Sequence, residues 1–398
     1  MRISKIVLFI LILIHSTGYA QSPDSRHSVA TFDSGFGGYF TAKEIEKRAR
    51  ELEAKGYGGF SIQHFGDTLN APYGEKTPEQ IAHFSAVGIL SAFRLGADEV
   101  FLACNTASTQ FDAIRNILRK HDASYPGRVH SIIDVSVKEI MKTVSKQLKR
   151  QDLVFVSILA TPATVRSENY PRFLTKALNA RMMPTQLKSF MQPRWRGEVQ
   201  HPIESLLTRT ELELGPKKRV VVYQIAPANW VEMIEHGASD EEKRAAVEHD
   251  LTALLGLIDE PVAFDVVGEF CTHYPVFDNL IQQTFKQLNR TSNGAPFVVQ
   301  GPIMGALFER NFTASHRPTK SSSTASQTTN PTIFISGDNQ EATRALAKTV
   351  FPNDPAPEVV KFDFNASVPV EQQSKTNSTV ITGVQKKNQI RKPTWKIQ

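Results

Sequence analysis

The sequence predicts an α/β protein built from two pseudo-symmetric parallel-sheet lobes, with the active site in the cleft between them. Three observations favour this fold. The chain has 398 residues, which is enough for two hydrophobic cores, because domains usually contain about 100 to 200 residues. Short apolar runs alternate with amphipathic segments, as in a parallel sheet that helices cover on both faces. Polar or glycine-containing loops follow the apolar runs, at the edge where such sheets bind ligands.

The first 20 residues are predicted to be a secretory signal peptide. Arg2 and Lys5 precede an apolar run at 6–14, and Ala20 is a small residue suited to the cleavage point. This run is too short to cross a bilayer, which takes about 20 apolar residues. We therefore expect an exported protein, periplasmic or secreted, without a membrane span.

The charge balance of the chain is mildly basic. Its formal net charge is +6, and removal of Arg2 and Lys5 leaves +4. An excess of this size does not indicate a nucleic-acid partner. The expected partner is a small molecule, and a homodimer is one option for the assembly.

The first lobe is predicted to cover 27–125 and to be completed by 277–353. Its predicted strands are "VATFD" at 29–33, "GGFSIQHFGD" at 58–67, "DEVFLAC" at 98–104 and "TIFISGD" at 332–338. Helical spacing of apolar and charged residues predicts helices at 40–54 and 81–97. Thr77 followed by Pro78 is typical of a helix start.

The second lobe is predicted to cover 126–276. Its predicted strands are "VHSIIDV" at 129–135, "DLVFVSILAT" at 152–161, "RVVVYQIA" at 219–226 and "FDVVGEFC" at 264–271. The segment 171–218 is longer than a normal connection between a helix and a strand. We expect an inserted hairpin or helix there.

Two further regions are predicted to lie outside the regular structure. Residues 312–330 are largely low-complexity and are expected to form a flexible loop. Residues 354–398 are polar and then basic, and they are expected to be mostly disordered. What the insertions at 171–218 and 289–329 contact does not follow from the sequence.

Unusual residues follow several of the predicted strands. They are Asp33, Tyr73, Cys104, Thr161 and Cys271. Because the carboxyl ends of parallel strands meet at one edge of a sheet, we expect these residues to converge there.

The chain contains only two cysteines, Cys104 and Cys271. In an exported protein, one interpretation is a structural disulfide. The other is an acid–base role, because Asn105 and Thr106 after Cys104 are plausible helix caps. The start of a helix lowers the pKa of a thiol from its usual value of about 8.5. Cys271 has a similar setting, with His273 nearby as a proton partner.

Two equivalent thiols at equivalent strand ends favour proton transfer at a carbon stereocentre. One base would remove a hydrogen from one face, and the other would return one to the opposite face. A cysteine hydrolase would instead need one thiol with an ordered His and Asn or Asp. A redox protein would usually carry its cysteines close together, as in C-x-x-C. Neither alternative pattern is present in the sequence.

Five motifs resemble, in the same order, those of the glutamate racemases, a family of the aspartate/glutamate racemase superfamily. They are "FDSGFGG" at 32–38, "APYGEK" at 71–76, "ACNTAS" at 103–108, "ATPATVRSENY" at 160–170 and "CTHYP" at 271–275. The resemblance covers the chain from residue 28 to residue 350. Five motifs in register are far more specific than any one of them.

The resemblance implies roles for individual residues. Cys104 and Cys271 would be the two acid/base thiols. Asp33 would lie beside Cys104 and bind the amino group or relay its proton, and His273 would assist Cys271. A glutamate near the second cysteine also occurs in the family, and Glu235 is the candidate, with an exposed helix acid as the alternative interpretation. The residues implied to bind the substrate are Ser34, Pro72, Tyr73, Gly74, Asn105, Thr106, Thr161, Thr164 and Thr272.

The implied reaction is racemisation of an acidic amino acid, with L- and D-glutamate as the first candidates. The family uses no pyridoxal phosphate or other cofactor and no metal. Electrostatic stabilisation must then replace a cofactor, because the α-hydrogen of an amino acid is very weakly acidic. Donors fixed around the substrate carboxylate in a closed cleft can provide it.

Some features differ from the family pattern and leave alternatives open. Glu269 and Phe270 precede Cys271 where the family usually has a small apolar approach, and Phe36 replaces a smaller residue in the glycine turn. The family's cell-wall enzymes are normally cytosolic, whereas this chain is predicted to be exported. The alternatives are a racemase of aspartate or broader specificity, another isomerase or a decarboxylase of small acids, and an exported two-lobed amino-acid binding protein with oxidised cysteines. The presence of both cysteines favours racemisation over a decarboxylase that uses one thiol.

Overall fold

A computed structural model describes residues 26–195, 202–318 and 327–364 of the chain. The predicted signal peptide at 1–20 lies outside the described residues. The same is true of residues 319–326 in the predicted flexible loop and of residues 365–398 in the predicted tail.

The strands fall into two sheets that are separate in space. They are β1 (His27–Asp33), β2 (Phe60–Gly66), β3 (Glu99–Leu102), β4 (Val129–Ser131), β5 (Leu153–Leu159), β6 (Arg181–Met182), β7 (Gln186–Gln192), β8 (Ile203–Glu213), β9 (Arg219–Ala226), β10 (Val266–Glu269), β11 (Phe297–Val299), β12 (Thr332–Ile335) and β13 (Val359–Lys361). The first sheet has the order β13-β12-β2-β1-β3-β4, and all its neighbouring strands are parallel. The second has the order β11-β10-β5-β9-β8-β6, with β7 also paired to β8.

The helices cover the sheets and connect their strands. They are α1 (Gly38–Ala54), α2 (Pro78–Arg94), α3 (Asn105–Ser108), α4 (Phe111–His121), α5 (Ile132–Gln147), α6 (Pro162–Arg166), α7 (Asn169–Leu178), α8 (Trp230–Glu235), α9 (Asp240–Gly256), α10 (Asp278–Gln287), α11 (Gln300–Ser315) and α12 (Gln340–Val350). Short 3-10 turns occupy Tyr73–Glu75, Tyr125–Arg128 and Tyr274–Phe277. The predicted α/β class with two sheet-based lobes is confirmed.

Local sequence explains where the helices begin. At the start of α2, the Thr77 hydroxyl accepts a hydrogen bond from the Gln80 backbone N–H, and the Gln80 side chain accepts one from the Thr77 N–H. This reciprocal pair satisfies two N–H groups that the first helical turn leaves without partners.

The two sheets share a hydrophobic core. One continuous apolar cluster includes Ile62 and Phe101 of the first sheet and Val156 and Val222 of the second. Burial of these residues holds the two lobes together, because removing apolar surface from water is the main favourable term in folding.

The assignment of strands to the two sheets differs from the predicted lobe boundaries. β4 pairs with β3 of the first sheet, although the second lobe was predicted to begin at 126, and β11 pairs with β10 of the second sheet. The predicted strand at 129–135 contains only three strand residues, because α5 begins at Ile132. The buried residues Ile133, Val137 and Ile140 of α5 have the spacing of one face of a helix.

The long segment at 171–218 contains an antiparallel hairpin. β7 pairs with β8 from Gln186 opposite Arg209 to Gln192 opposite Ile203. β8 in turn runs antiparallel to β9 and extends the second sheet. We call β7, β8 and the described residues between them the inserted hairpin.

Two segments have more regular structure than the sequence predicts. α11 continues to Ser315, because Phe312 is buried and its ring stacks on His316 with the centroids 4.0 Å apart. Residues 354–364 add β13 to the first sheet, and Phe364 is buried close to Phe65. Both segments have a mostly polar sequence, but each contains a buried phenylalanine that fixes its structure. Within the described ranges, no helix is sufficiently long and apolar to span a bilayer.

Candidate active site

The candidate site lies where the carboxyl ends of strands from both sheets meet. β1 ends at Asp33, and β10 ends two residues before Cys271. Asp33 lies close enough to Thr272 and His273 for both to affect its ionisation. The predicted residues from distant parts of the sequence therefore come together between the two sheets.

Cys104 lies in a buried and largely uncharged setting. Its side chain is 5% exposed, and its Sγ accepts a hydrogen bond from the Ala107 N–H at 3.4 Å. The Ser34 Oγ lies 3.6 Å from the same sulfur. The expected lowering of the Cys104 pKa is wrong. Burial raises the pKa of this thiol, the nearby Asp33 raises it further, and the hydrogen bonds from Ala107 and Ser34 offset only part of the effect.

Asp33 is a buried acid with one oxygen available. Its Oδ1 accepts a hydrogen bond from the Ser34 hydroxyl at 3.2 Å, and its Oδ2 has no hydrogen-bond partner among the described residues. Burial raises the pKa of Asp33, although the positive charge of His273 and the Thr272 hydroxyl lower it in part. This carboxyl group can hold a proton beside Cys104 or bind an amino group.

Cys271 lies in a charged setting. Its Sγ is 3.9 Å from Nδ1 of His273, and Nε2 of that ring donates to Oε1 of Glu235 at 2.6 Å. Burial alone would lower the pKa of His273, but the interactions with Cys271 and Glu235 raise it well above its usual value. Burial likewise opposes ionisation of Glu235, but its hydrogen bond and ion pair with His273 lower its pKa. His273 and Glu235 therefore form a carboxylate–imidazolium pair, and the ring of this pair lies next to the Cys271 sulfur.

The glycine turn of the first lobe packs directly against this charged group. A Cβ atom on Gly37 would lie 2.5 Å from Thr272 Oγ1 and 2.6 Å from the His273 ring, and one on Gly35 would lie 2.7 Å from Glu235 Oε1. The Phe36 N–H also donates to Glu235 Oε1 at 3.0 Å. Glycine is needed at both positions for close approach of the two lobes.

Three threonine hydroxyls form a cluster between the lobes. Thr106 Oγ1 is 3.1 Å from Thr161 Oγ1 and 3.4 Å from Thr164 Oγ1, and the latter two are 3.0 Å apart. Thr106 follows Cys104, whereas Thr161 and Thr164 belong to the start of α6. A cluster of hydroxyls on both sides of the cleft can donate to a carboxylate.

Both polar atoms of the Asn105 side-chain amide form hydrogen bonds with other protein side chains. Its Nδ2 donates to Gln300 Oε1 at 2.6 Å, and its Oδ1 accepts from the Tyr170 hydroxyl at 2.6 Å and from Gln300 Nε2 at 2.8 Å. Gln300 also donates to Ser136. This network fixes the chain directly after Cys104. Gln300 carries no signal in the sequence that would have identified it.

The loop with Pro72, Tyr73 and Gly74 also lies at the site, but the Tyr73 hydroxyl is occupied. It donates to Asp67 Oδ2 at 2.7 Å, and the ring is 1% exposed. Burial, Asp67 and Cys104 raise the pKa of Tyr73 well above its usual range, so its phenol stays neutral. Pro72 follows a cis peptide bond, and a Cβ on Gly74 would lie 3.9 Å from Ala163 of α6. The loop therefore contacts the second lobe through Gly74.

Two buried groups near the site were not predicted as functional residues. His64 donates from Nε2 to the Gly35 carbonyl at 3.0 Å and accepts from the Thr31 hydroxyl at 2.9 Å. Burial lowers the pKa of His64 to about 4, so the ring is neutral and supports the glycine turn. Glu269 is fully buried, and burial together with Asp278 raises its pKa well above the usual value. Its two oxygens have no hydrogen-bond partner in the described part of the chain.

In the part of the chain that the structure describes, no group of three or more His, Cys, Asp or Glu side chains is arranged to hold a metal ion. Both cysteines are free thiols. They do not form the disulfide that was one of the two interpretations of the sequence.

The similar proteins found by comparison with known sequences are named as glutamate racemases. No protein-family model matches the sequence. The chain is 27% identical over 264 residues to a glutamate racemase of Sulfurovum sp. (strain NBC37-1), covering 65% of this chain and 75% of that protein. It is 25% identical over 285 residues to the glutamate racemase of Lactococcus lactis subsp. lactis (strain IL1403), covering 71% and 81%. A shorter match to the glutamate racemase of Ruegeria pomeroyi has 31% identity over 153 residues, covering 37% of this chain and 52% of that protein.

Solved structures share the fold. The glutamate racemase of Francisella tularensis, in complex with D-glutamate, superposes with a TM-score of 0.57 at 17% identity, covering 86% of this chain and 99% of that one. A glutamate racemase isoform from Bacillus anthracis gives a TM-score of 0.56 at 17% identity, covering 85% and 98%. At these identities the structures establish the two-lobed fold alone.

Proposed function

We propose that this chain, which belongs to the glutamate racemase family of the aspartate/glutamate racemase superfamily, interconverts L- and D-glutamate with two thiols and without a cofactor. The chain is an amino-acid racemase, and the choice of glutamate is supported by the relatives described above. The observation that carries the mechanism is the difference between the two thiols. Cys271 lies next to an imidazolium, and Cys104 is a buried thiol with an elevated pKa.

In this mechanism, the resting enzyme has a thiolate at Cys271 and a thiol at Cys104. The Cys271 sulfur removes the α-proton of one enantiomer, so the Cα–H bond breaks and an S–H bond forms. The Cys104 thiol then gives its proton to the opposite face of the carbanion. The product is the mirror-image amino acid, and the enzyme is left with a thiolate at Cys104 and a thiol at Cys271.

The second state is the starting point for the reverse direction. The Ala107 N–H and the Ser34 hydroxyl can stabilise the thiolate that forms at Cys104, because both lie within hydrogen-bond range of its sulfur. Asp33 carries a proton in its neutral form and can return it to this half of the site. The resting state is then restored by proton exchange with the solvent.

The hydroxyl cluster supplies the stabilisation that a cofactor would otherwise provide. Thr106, Thr161 and Thr164 can donate to the substrate carboxylate, where negative charge increases as the proton leaves. A single preorganised donor of this kind can be worth roughly 2.7 to 4 kcal/mol in a site without water. The thiols are only 5% and 4% exposed, which is consistent with such a site.

The free thiols support an enzyme over an exported binding protein with oxidised cysteines. Export itself is proposed from Arg2, Lys5 and the apolar run at 6–14. Mass spectrometry of the protein secreted by its host would test export, and the expected mature chain begins at Gln21. An intact N-terminus at Met1 would contradict it.

A chiral assay in heavy water tests the proposed activity. The protein without residues 1–20 is incubated with L-glutamate and separately with D-glutamate, and the enantiomers and their Cα deuterium are measured. We expect each enantiomer to yield the other, with deuterium at Cα of the product. Cys104→Ser and Cys271→Ser should racemise both enantiomers far more slowly. Racemisation at the unmodified rate in either variant would contradict the proposal.

A further inference from the structure

The inserted hairpin reaches the edge of the second sheet that carries the catalytic residues. β8 runs antiparallel to β9, and Leu206 near the start of β8 pairs with Ala226 at the end of β9. The end of β7 and the start of β8 therefore lie at the carboxyl end of β9. α8 follows β9 and ends at Glu235, which binds His273.

Asn229, the residue before α8, binds the hairpin rather than its own helix. It occupies the N-cap position, where Asn usually accepts a hydrogen bond from the first helical turn, but its side chain makes no such bond. Instead its Oδ1 accepts from the Trp195 N–H at 2.9 Å, and its Nδ2 donates to the Pro193 carbonyl at 2.9 Å. One buried amide thus holds two backbone groups of the hairpin.

Ser205 makes a second attachment from the hairpin side. Its side chain is fully buried, and its Oγ accepts from the Ala228 N–H at 3.1 Å and from the Gln192 side chain at 2.8 Å. An ion pair between Arg194 and Glu232 of α8, with atoms 3.6 Å apart, adds a contact nearer the surface. The hairpin therefore contacts both the approach to α8 and the helix itself.

The hairpin also contacts the other helix of this half of the site. Glu204 of β8 accepts a hydrogen bond from Arg166 at 2.7 Å. Arg166 is the last residue of α6, which begins beside Thr161 of the hydroxyl cluster. One inserted element thus braces both α6 and α8.

α8 can transmit a displacement to Glu235 because it is short. A helix of six residues is only about 9 Å long. Trp230 at its start is fully buried and donates to Asp250 at 2.9 Å. Glu235 at its end must reach His273 within hydrogen-bond distance to keep the ring charged. A shift at Asn229 would move this carboxylate.

We propose that the inserted hairpin is a positioning element of the Cys271 half of the site, acting through Asn229 and Ser205 on α8 and Glu235. This inference rests on the proposed racemase function and adds to it two positioning residues outside the family motifs. It assigns a role to an insertion that holds none of the described residues assigned here to the reacting atoms.

The test separates the two thiols. In a Cys104→Ala background, only Cys271 can exchange the α-proton of substrate with heavy water. In a Cys271→Ala background, only Cys104 can do so. Asn229→Ala and Ser205→Ala are introduced into each background, and the exchange rate is followed by NMR as a function of pH. Thr185→Ala is the matched control, because Thr185 bonds to Thr210 at the opposite end of the hairpin, 2.9 Å away.

We expect each hairpin variant to slow exchange by roughly tenfold in the Cys104→Ala background, since a displacement of about 1 Å can cost up to about a hundredfold. The pH at which exchange is lost on the alkaline side should also fall, because a displaced Glu235 no longer keeps His273 protonated. Exchange in the Cys271→Ala background, and every rate in the Thr185→Ala variant, should stay unchanged. A general loss of folding would slow both backgrounds equally. Arg194→Gln, at a more exposed position, should give a smaller effect in the same direction.

The outcomes distinguish the inference from the proposed function. If Asn229→Ala and Ser205→Ala leave the exchange rate of the Cys104→Ala parent unchanged, the inference is overturned, but the proposed function is not. An equal loss in both backgrounds would have the same consequence. A Cys104→Ala parent with no exchange at any pH would contradict the two-thiol chemistry, and the inference would fall with it.

Discussion

The two halves of the candidate active site differ in charge although they are built alike. Each thiol follows the end of a parallel strand, and each has an acid nearby. Around Cys104 the acid is the buried Asp33, whose pKa is raised, and the pKa of the thiol is raised as well. Around Cys271 the acid is Glu235, whose pKa is lowered because it pairs with a charged His273. One half contains an acid and a thiol whose pKa values are both raised, and the other contains a carboxylate–imidazolium pair.

This difference shows how a site for a nearly symmetric reaction can store one proton in a defined place. A racemase needs one base and one acid at the same moment. If the two thiols had equal surroundings, both would tend to hold or lose protons together. Burial and the nearby Asp33 raise the pKa of Cys104 and so keep its proton in place, whereas Cys271 lies beside a charged imidazole ring.

Removal of either thiol should have the largest effect on activity. In Cys104→Ala and in Cys271→Ala, we expect racemisation to fall by about a hundredfold to ten-thousandfold, the range for loss of a general acid or base. The rate of optical rotation change with pure L- or D-glutamate measures it. Equal rates in either variant and the unmodified protein would contradict the assignment of both residues.

Gly37→Ala should be the next most damaging change, because it separates the two halves. The new Cβ would lie 2.5 Å from Thr272 Oγ1 and 2.6 Å from the His273 ring. We expect up to about a hundredfold loss of kcat, since the reacting groups would be misplaced by about 1 Å. Gly58→Ala is the control, because a Cβ there meets no atom within 4 Å. Full activity in Gly37→Ala would show that the close approach is not needed.

Glu235→Gln should affect only the charged half. The amide keeps the shape but not the charge, so the pKa of His273 should fall and the alkaline limit of activity should move to lower pH. The folded pKa of His273 is raised, so its contribution to stability is fully present below its unfolded value of about 6.5 and is lost as the pH rises through the folded value. The variant should lack that contribution. Glu241→Gln, at an exposed position, is the control. An unchanged pH–rate profile in Glu235→Gln would contradict the role of Glu235.

Glu269→Gln should leave the activity unchanged and alter only the stability. Glu269 is fully buried with a pKa raised well above 4.5, so it remains protonated in the folded protein. The unfolded chain loses that proton first, and stability should fall by about 1.4 kcal/mol per pH unit between the two pKa values. The melting temperature of the variant relative to the unmodified protein should therefore rise as the pH is raised above the unfolded pKa of about 4.5. A constant difference would show that Glu269 is ionised when folded.

Much of the architecture could be predicted because strand and helix patterns are local. The apolar runs that end at Asp33 and Cys104, and the cap at Thr77, are visible in a few neighbouring residues. β4 and β11 were harder to assign to a sheet, because strands of three residues carry little pattern and their pairing depends on distant partners.

The electrostatics of the site could not be predicted in the same way. The cap after Cys104 suggested a lowered pKa, but the deciding influence is burial, which depends on packing between both lobes. The reciprocal amide pair of Asn105 with Gln300 joins residues 195 positions apart. Contacts of this kind arise from the folded topology and leave no local signal.

The most direct test of the account is α-proton exchange by the two single-thiol variants in heavy water near neutral pH. Cys104→Ala should exchange the α-hydrogen of only one enantiomer of glutamate, through the Cys271 thiolate, and return deuterium to the same face. Cys271→Ala should exchange only the opposite enantiomer, and more slowly, because the remaining thiol is protonated. Exchange of the same enantiomer by both variants, or faster exchange by Cys271→Ala, would contradict the proposed difference between the two halves.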